Sequence, residues 1–229
     1  MVRMISVGKR YFISDFHFGD NTWKWERTQF KNEEEHTTYL LTQIGRWANK
    51  LNKDKTNEIW VLGDYGSIDF LWAMDAFECK KIFVYGNHDK AEDFETFKLY
   101  FDEVHRYPQF LSQKLVVSHF PVAVWDSAVC VAGHLHACEI ALPNYISCSI
   151  NDRDYKLVTE KEISSAFARI PKFCTRFLWE PWSDLPQQNL NLNRKDIVFN
   201  PATGMIDIAA SRCKKSFDTS KNFCLNPKK

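Results

Sequence analysis

The sequence predicts an α/β protein. Two observations carry that prediction: short apolar strands alternate with helical segments along residues 10–170, and most strands run out at an acidic, amide or histidine side chain. Composition agrees. With 45% hydrophobic and 15% aromatic residues in 229 positions, the chain can bury a sizeable core and is not a disordered one.

RYFISD (10–15) alternates into a short strand that stops at an acidic residue. From Glu33 to Leu51, Leu40, Ile44, Trp47, Ala48 and Leu51 recur at helical spacing opposite a charged face. Glu33, Glu34 and Glu35 suit the positive end of that helix. EIWVLGD (58–64) reads as a buried strand ending in Gly-Asp, IDFLWAMDAFE (68–78) as a helix, and KKIFVYGNHD (80–89) as a strand with a polar end. AEDFETFKLYF (91–101) reads as a helix, KLVVSH (114–119) and AVCVAGHLH (128–136) as strands, YISCSI (145–150) as a strand, and TEKEISSAFARI (159–170) as a helix. DIVFNPATGMIDIA (196–209) is expected to form a hairpin around its Pro/Gly turn.

Charge divides the chain near residue 170. Residues 1–170 carry 20 Lys+Arg and 24 Asp+Glu, a net of −4, whereas residues 171–229 carry 10 and 5, a net of +5. The shift, with Pro171 and the Pro/Asn/Gln-rich PWSDLPQQNLNLNRKD, marks a main domain over 1–170 and a basic C-terminal extension over 171–229. The extension could attract a polyanion, pair with a sheet edge or dimerise. The total charge of +1 carries no signal for nucleic acid, and the acidic main body disfavours it. No stretch is long and apolar enough for a membrane span, and the N-terminus lacks the apolar core and cleavage site of a signal peptide. Seven cysteines without a CxxC pair then suit free thiols in a reducing cytoplasm.

The strand ends carry the chemistry. Asp15 and His17, Asp64, Asn87 and His88, His119, and His134 and His136 all fall there, including five of the seven histidines. Turn formation and helix capping account for one or two such residues, but not for histidines at four separate strand ends. In CVAGHLHAC (130–138) an extended backbone would point His134 and His136 to one face. Taken alone, that pair fits a hydrogen-bonded core as well as a metal. Taken together, Asp15, His17, Asp64, Asn87, His119, His134 and His136 offer seven nitrogen and oxygen ligands, a set suited to Mn²⁺, Fe²⁺, Ni²⁺, Co²⁺ or Zn²⁺. Two such ions about 3.5–4 Å apart can clamp a phosphoryl group and supply hydroxide for in-line attack.

In order, these blocks are Asp15-Phe-His17, Gly63-Asp64, Gly86-Asn87-His88-Asp89, Ser118-His119 and Gly133-His134-Leu135-His136. The set resembles the calcineurin-like metallophosphoesterase superfamily over residues 10–165. The ISDFHFGD opening, the SHFP block and NDRDYKLVTEKEI are similar to small stand-alone members from bacteria and bacteriophages. The resemblance implies a four-layer α/β/β/α sandwich and two divalent metal ions, Mn²⁺ first among them. It implies that Asp15, His17 and His136 hold one ion, that Asn87, His119 and His134 hold the other, and that Asp64 bridges them. It also implies that His88 is a general acid or phosphate-binding group, oriented by Asp89 through its other ring nitrogen. GDYG lacks a second acidic residue found in some branches, and Asp20 stands where close relatives can have a histidine.

The expected activity is hydrolysis of a small phosphodiester, cyclic or oligonucleotide. A phosphomonoesterase, a nuclease, and a metal-stabilised scaffold that binds a partner protein stand as the alternatives. Arg27 is expected to reach the substrate phosphate, though a solvated surface position suits it equally. Trp23 and Trp25 could stack on a base or fill a hydrophobic cluster, and Cys130 and Cys138 read as small core residues. His36 and His105 lie outside every block and read as ordinary.

Overall fold

Apolar residues at alternate positions divide the strands between two faces, and the layers follow from that division. The computed structural model describes residues 8–20, 27–124, 128–136 and 144–169, with the backbone of 197–200 and 205–208. Strands β1 (Arg10–Ile13), β2 (Glu58–Leu62), β3 (Lys80–Val84) and β4 (Glu103–His105) run parallel in the order β4-β3-β2-β1, and β9 (Val158–Thr159) adds antiparallel to β1. Tyr11, Ile13, Ile59, Val61 and Phe83 face the core that also holds Leu40, Ile44 and Trp47 of α1 (Glu33–Leu51). Phe12, Trp60, Leu62, Ile82 and Val84 point the other way.

There they meet Leu115, Val117, Val129 and Val131 of a second sheet, ordered β5-β6-β7-β8. It comprises β5 (Gln109–Ser112), β6 (Leu115–Ser118), β7 (Val129–Ala132) and β8 (Tyr145–Ser147), parallel except at β5. Ile163 and Ala166 of α3 (Glu160–Arg169) join this second core, and α3 contacts β7, β8 and β9. Two parallel-rich sheets with helices against them make the sandwich expected. The parallel bridge Ser14–Ser149 ties the sheets together just beyond β1.

Helix α1 has the predicted bounds, because its start is chemically marked: the Asn32 side chain accepts the Glu35 N–H at 2.8 Å. Segment 68–78 differs from expectation. It is a 3₁₀ helix over Ile68–Ala76, and its buried Leu71, Met74 and Phe77 recur every third residue, the period of that helix. Segment 91–101 is a 3₁₀ turn, one α turn (α2, Phe94–Phe97) and further turns, which suffices to bury Phe97 and Phe101. The short strands β4, β5 and β9 were not anticipated. The predicted hairpin is present as β10 (Ile197–Asn200) paired antiparallel with β11 (Met205–Ile208). The rest of the extension and its boundary lie outside the described residues, as do Trp23, Trp25 and Cys138.

Candidate metal centre

Five parallel strands end on one side of the sandwich, and the seven predicted ligands follow them directly. Asp15 and His17 follow β1, Asp64 follows β2, Asn87 follows β3, His119 follows β6, and His134 and His136 follow β7. Within the first sheet Asp15 N–H donates to Gly63 O at 3.0 Å, and the two sheets are stitched there by His134 N–H donating to the Asp15 carboxylate at 3.1 Å.

The backbone at these positions is unusual. Of seven non-glycine residues at positive φ among the described residues, five are predicted ligands: Asp15 (63°), His17 (46°), Asp64 (53°), His134 (71°) and His136 (48°). Such conformations cost roughly 1–3 kcal/mol each and persist where the surroundings enforce them. His134 and His136 thus converge for a reason other than the strand alternation expected. Strand β7 stops at Ala132, and two left-handed residues turn both rings inward. Glycine makes the approach feasible: a Cβ at Gly133 would lie 2.1 Å from Ser14 Oγ and 2.4 Å from Asp15 Oδ2.

The side chains gather as two groups sharing Asp64. Ligand atoms of Asp15, His17, Asp64 and His136 lie within 4.8 Å of one another, as do those of Asp64, His119 and His134. Asp64 Oδ2 is 3.5 Å from His17 Nε2 and 3.3 Å from His119 Nε2, yet it is buried and accepts no aligned hydrogen bond among the described residues. Asn87 Oδ1 stands 2.9 Å from His119 Nε2 and 3.0 Å from His134 Nδ1. His119 Nδ1–H donates to Leu62 O at 2.9 Å, which turns Nε2 toward the cluster.

The charges are arranged for a cation. Burial would raise Asp64, but His119 and His17 hold its carboxyl down to about 2. Burial would lower His119, but Asp64 and Asp15 outweigh it and lift the ring to about 9. His17 is lowered to about 4 by burial, against the pull of Asp64 and Asp15. A negative field, an orphaned carboxylate oxygen and convergent imidazoles fit divalent metal, whose binding displaces the ring proton.

Around the ligands, three assignments change or sharpen. Arg27 is not a solvated surface residue: it is 3% exposed, and its Nη2 donates to Phe16 O at 3.1 Å and Asp15 O at 3.4 Å, behind the metal loop. The buried loop carbonyls needed a donor, and the long arginine reaches them from within. Asp89 does not orient the His88 ring among the described residues. Its carboxylate accepts three backbone N–H groups, from Gly86 (2.7 Å), Asp64 (2.8 Å) and Tyr65 (2.9 Å), locking the β2 and β3 loops together. Burial and the Asp64 charge push it up to about 6. His88 is exposed, its N–H donates to Asp64 Oδ1 at 2.9 Å, and its ring groups with His17 and Asp20.

Asp20, read from sequence only as a departure, lies 3.4 Å from His17 Nδ1, at ion-pair distance on the nitrogen opposite the one that faces Asp64. Asn151 was missed altogether; its amide sits 3.1 Å from His136 Nδ1. No local motif marks it, since it reaches the site from the turn after the Ser14–Ser149 bridge. His36, taken as ordinary, is buried against Arg27 at 3.1 Å.

Strand ends that bring two carboxylates, an amide and four imidazoles together define a metal-dependent hydrolase of the phosphoester class. The chain belongs to a family of that class: the profile of the family described as Calcineurin-like phosphoesterase matches residues 8–200. A search of curated proteins gives no match. Among solved structures, a protein of unknown function from Aquifex aeolicus is similar at 24% identity and a TM-score of 0.51, over 69% of this chain and 98% of that one. That likeness concerns the fold. An archaeal phosphodiesterase aligns at 15% identity and a TM-score of 0.40, over 62% of this chain and 82% of that one, too low to carry an argument. No helix of the described residues is long and apolar enough to cross a membrane.

Proposed function

We propose that this metal-dependent phosphoesterase is a phosphodiesterase for small nucleotide-type phosphodiesters, cyclic or oligomeric, working with two divalent ions, Mn²⁺ first. The observation that carries the reading is the exposed His88 imidazole beside the buried cluster, its backbone tied to the carboxylate that both ligand groups share. Asp15, His17 and His136 would hold one ion, Asn87, His119 and His134 the other, and Asp64 both. Divalent ions bound there supply Lewis acidity and a water ionised near neutral pH.

The chain's own residues do the rest. Asp64 Oδ1 fixes the backbone at His88, and the exposed ring would move a proton to a departing alkoxide. Half-buried His134 packs on Phe120 at a 4.6 Å ring separation, an apolar wall beside the outer ligands. The net −4 of residues 1–170 favours a singly charged diester over a dianionic monoester or a long polyanion.

The test is a substrate panel on protein stripped of metal and reloaded with Mn²⁺. Bis-p-nitrophenyl phosphate, cyclic nucleotides and dinucleotides should turn over faster than p-nitrophenyl phosphate or single-stranded DNA. A monoester preference overturns the diesterase reading, and a single-strand preference makes the protein a nuclease. Two bound ions without turnover on any substrate indicate a scaffold.

A further inference from the structure

One buried charge has no place in that chemistry. Arg27 lies beneath the Asp15–Gly19 loop, and we infer that Arg27, braced by Glu33 and His36, is a positioning residue that sets metal affinity at the Asp15/His17/His136 group and leaves the Asn87/His119/His134 group alone. The inference rests on the two-ion reading above.

Left-handed φ at Asp15 and His17 turns the loop's peptides away from any regular ladder. The carbonyls of Asp15 and Phe16, both buried residues, then need a donor from elsewhere, and Arg27 Nη2 supplies it at 3.4 and 3.1 Å. Arg27 Nη1 is 3.1 Å from His36 Nδ1 and 3.6 Å from Glu33 Oε2. Arginine has no acceptor, so His36 Nδ1 must be the acceptor and the ring neutral. The 3.3 Å approach of that nitrogen to Glu33 Oε1 is then a contact rather than a hydrogen bond.

Glu33 completes the clamp. Its Oε1 accepts the Gly19 N–H at 3.0 Å and the Thr37 hydroxyl at 3.0 Å. Both ends of the metal loop are therefore fastened to the first turn of α1, one through the arginine and one through the glutamate. The outer group has a different support: among the described residues, Asn87 Oδ1 is held by the two imidazoles that would share its ion. A loosened Arg27 should cost the first group its preorganisation and leave the second as it was.

The experiment titrates metal-free full-length protein with Mn²⁺ by calorimetry, with melting followed on the same samples. Wild type, Arg27→Met, Asn87→Ala and the double variant are compared. Arg27→Met should keep one ion at wild-type affinity and bind the other roughly 10–100-fold more weakly. Asn87→Ala should also keep one tight ion, and the double variant none. Two ions at wild-type affinity in Arg27→Met, equal weakening of both, or a tight ion surviving in the double variant overturns the inference. A wild type that binds a single ion overturns the two-ion reading and the inference with it. Should Arg27→Met fail to fold, Glu33→Gln carries the same test, because it removes the arginine's counter-charge without opening a cavity. Its expected result is the same one-site weakening, and unchanged affinities overturn the inference.

Discussion

The two ligand groups use the same kinds of side chain but are held in different ways. Asp15, His17 and His136 are buried, all three stand at positive φ, and each has a polar neighbour that is not a ligand of its own group. Asp15 accepts from Ser14 Oγ at 2.5 Å, His17 has Asp20, and His136 has Asn151. In the other group His119 is buried and donates to Leu62 O, but Asn87 is exposed, His134 is half-buried, and the contacts around Asn87 Oδ1 are between would-be ligands. An ion entering the first group finds its ligands already placed. An ion entering the second must first break the contacts that hold the group together. On the two-ion reading, the comparison leads us to propose a built, retentive inner position and an outer one on the side where ions and substrate would exchange.

The harshest way to break that distinction is to remove the residue both groups share. Asp64→Ala should lose both ions in elemental analysis and reduce turnover to that of metal-free protein. Retention of one ion with activity would show that the groups do not depend on a common carboxylate. His88→Asn probes the open side without touching a ligand. Both ions should remain, while hydrolysis of esters with poor leaving groups falls by roughly 10²–10⁴-fold. The loss should shrink for p-nitrophenol esters, which need no proton. A His88 variant that loses metal would reassign the residue as a ligand.

What could be read from sequence tracks the same divide. The ligands were legible because histidine is scarce and recurs just past apolar strands, with glycine before Asp64, Asn87 and His134. The supports were not. Arg27 and Asp89 carry charges near a phosphate site, which suggests contact with substrate or with His88, whereas both serve backbone groups of the loops. Whether a charge faces solvent or a buried carbonyl depends on tertiary packing, and no local pattern reports that. The pairing of His134 with His136 was legible for the wrong reason, because spacing of two suggests a strand and the left-handed turn appears only in the backbone. Likewise α1 was readable from its acidic first turn and long period, while the 3₁₀ type of the helix at 68–76 and the short strands β4, β5 and β9 present too few residues for a period to declare itself.

Gly133 sharpens the comparison through the backbone. In Gly133→Ala the new methyl would meet Ser14 Oγ and Asp15 Oδ2 on the inner side. Overpacking of this kind costs about 1–3 kcal/mol. Metal-free protein should melt earlier, and the inner ion should weaken before the outer one. An unchanged melting temperature would mean that the Ser14–Asp15 turn yields freely, contrary to the rigidity assigned to it.

The mildest effect is expected at Asn151. For His136 Nε2, 3.8 Å from Asp15 Oδ1, to offer its lone pair to an ion, the ring proton must sit on Nδ1. The Asn151 amide, 3.1 Å from Nδ1, can meet that proton by presenting its oxygen, since its two orientations fill the same space. Removing the amide should therefore free the ring without displacing it. Asn151→Ala should weaken the inner ion about 10-fold, the lower end of what lost support for a metal-bound histidine costs. Asn151→Asp should restore or exceed the wild-type affinity, because a carboxylate accepts the same proton more strongly. Calorimetric titration with Mn²⁺ separates the cases. If alanine and aspartate weaken binding alike, the amide matters only for packing and the inner group owes its hold to the backbone alone.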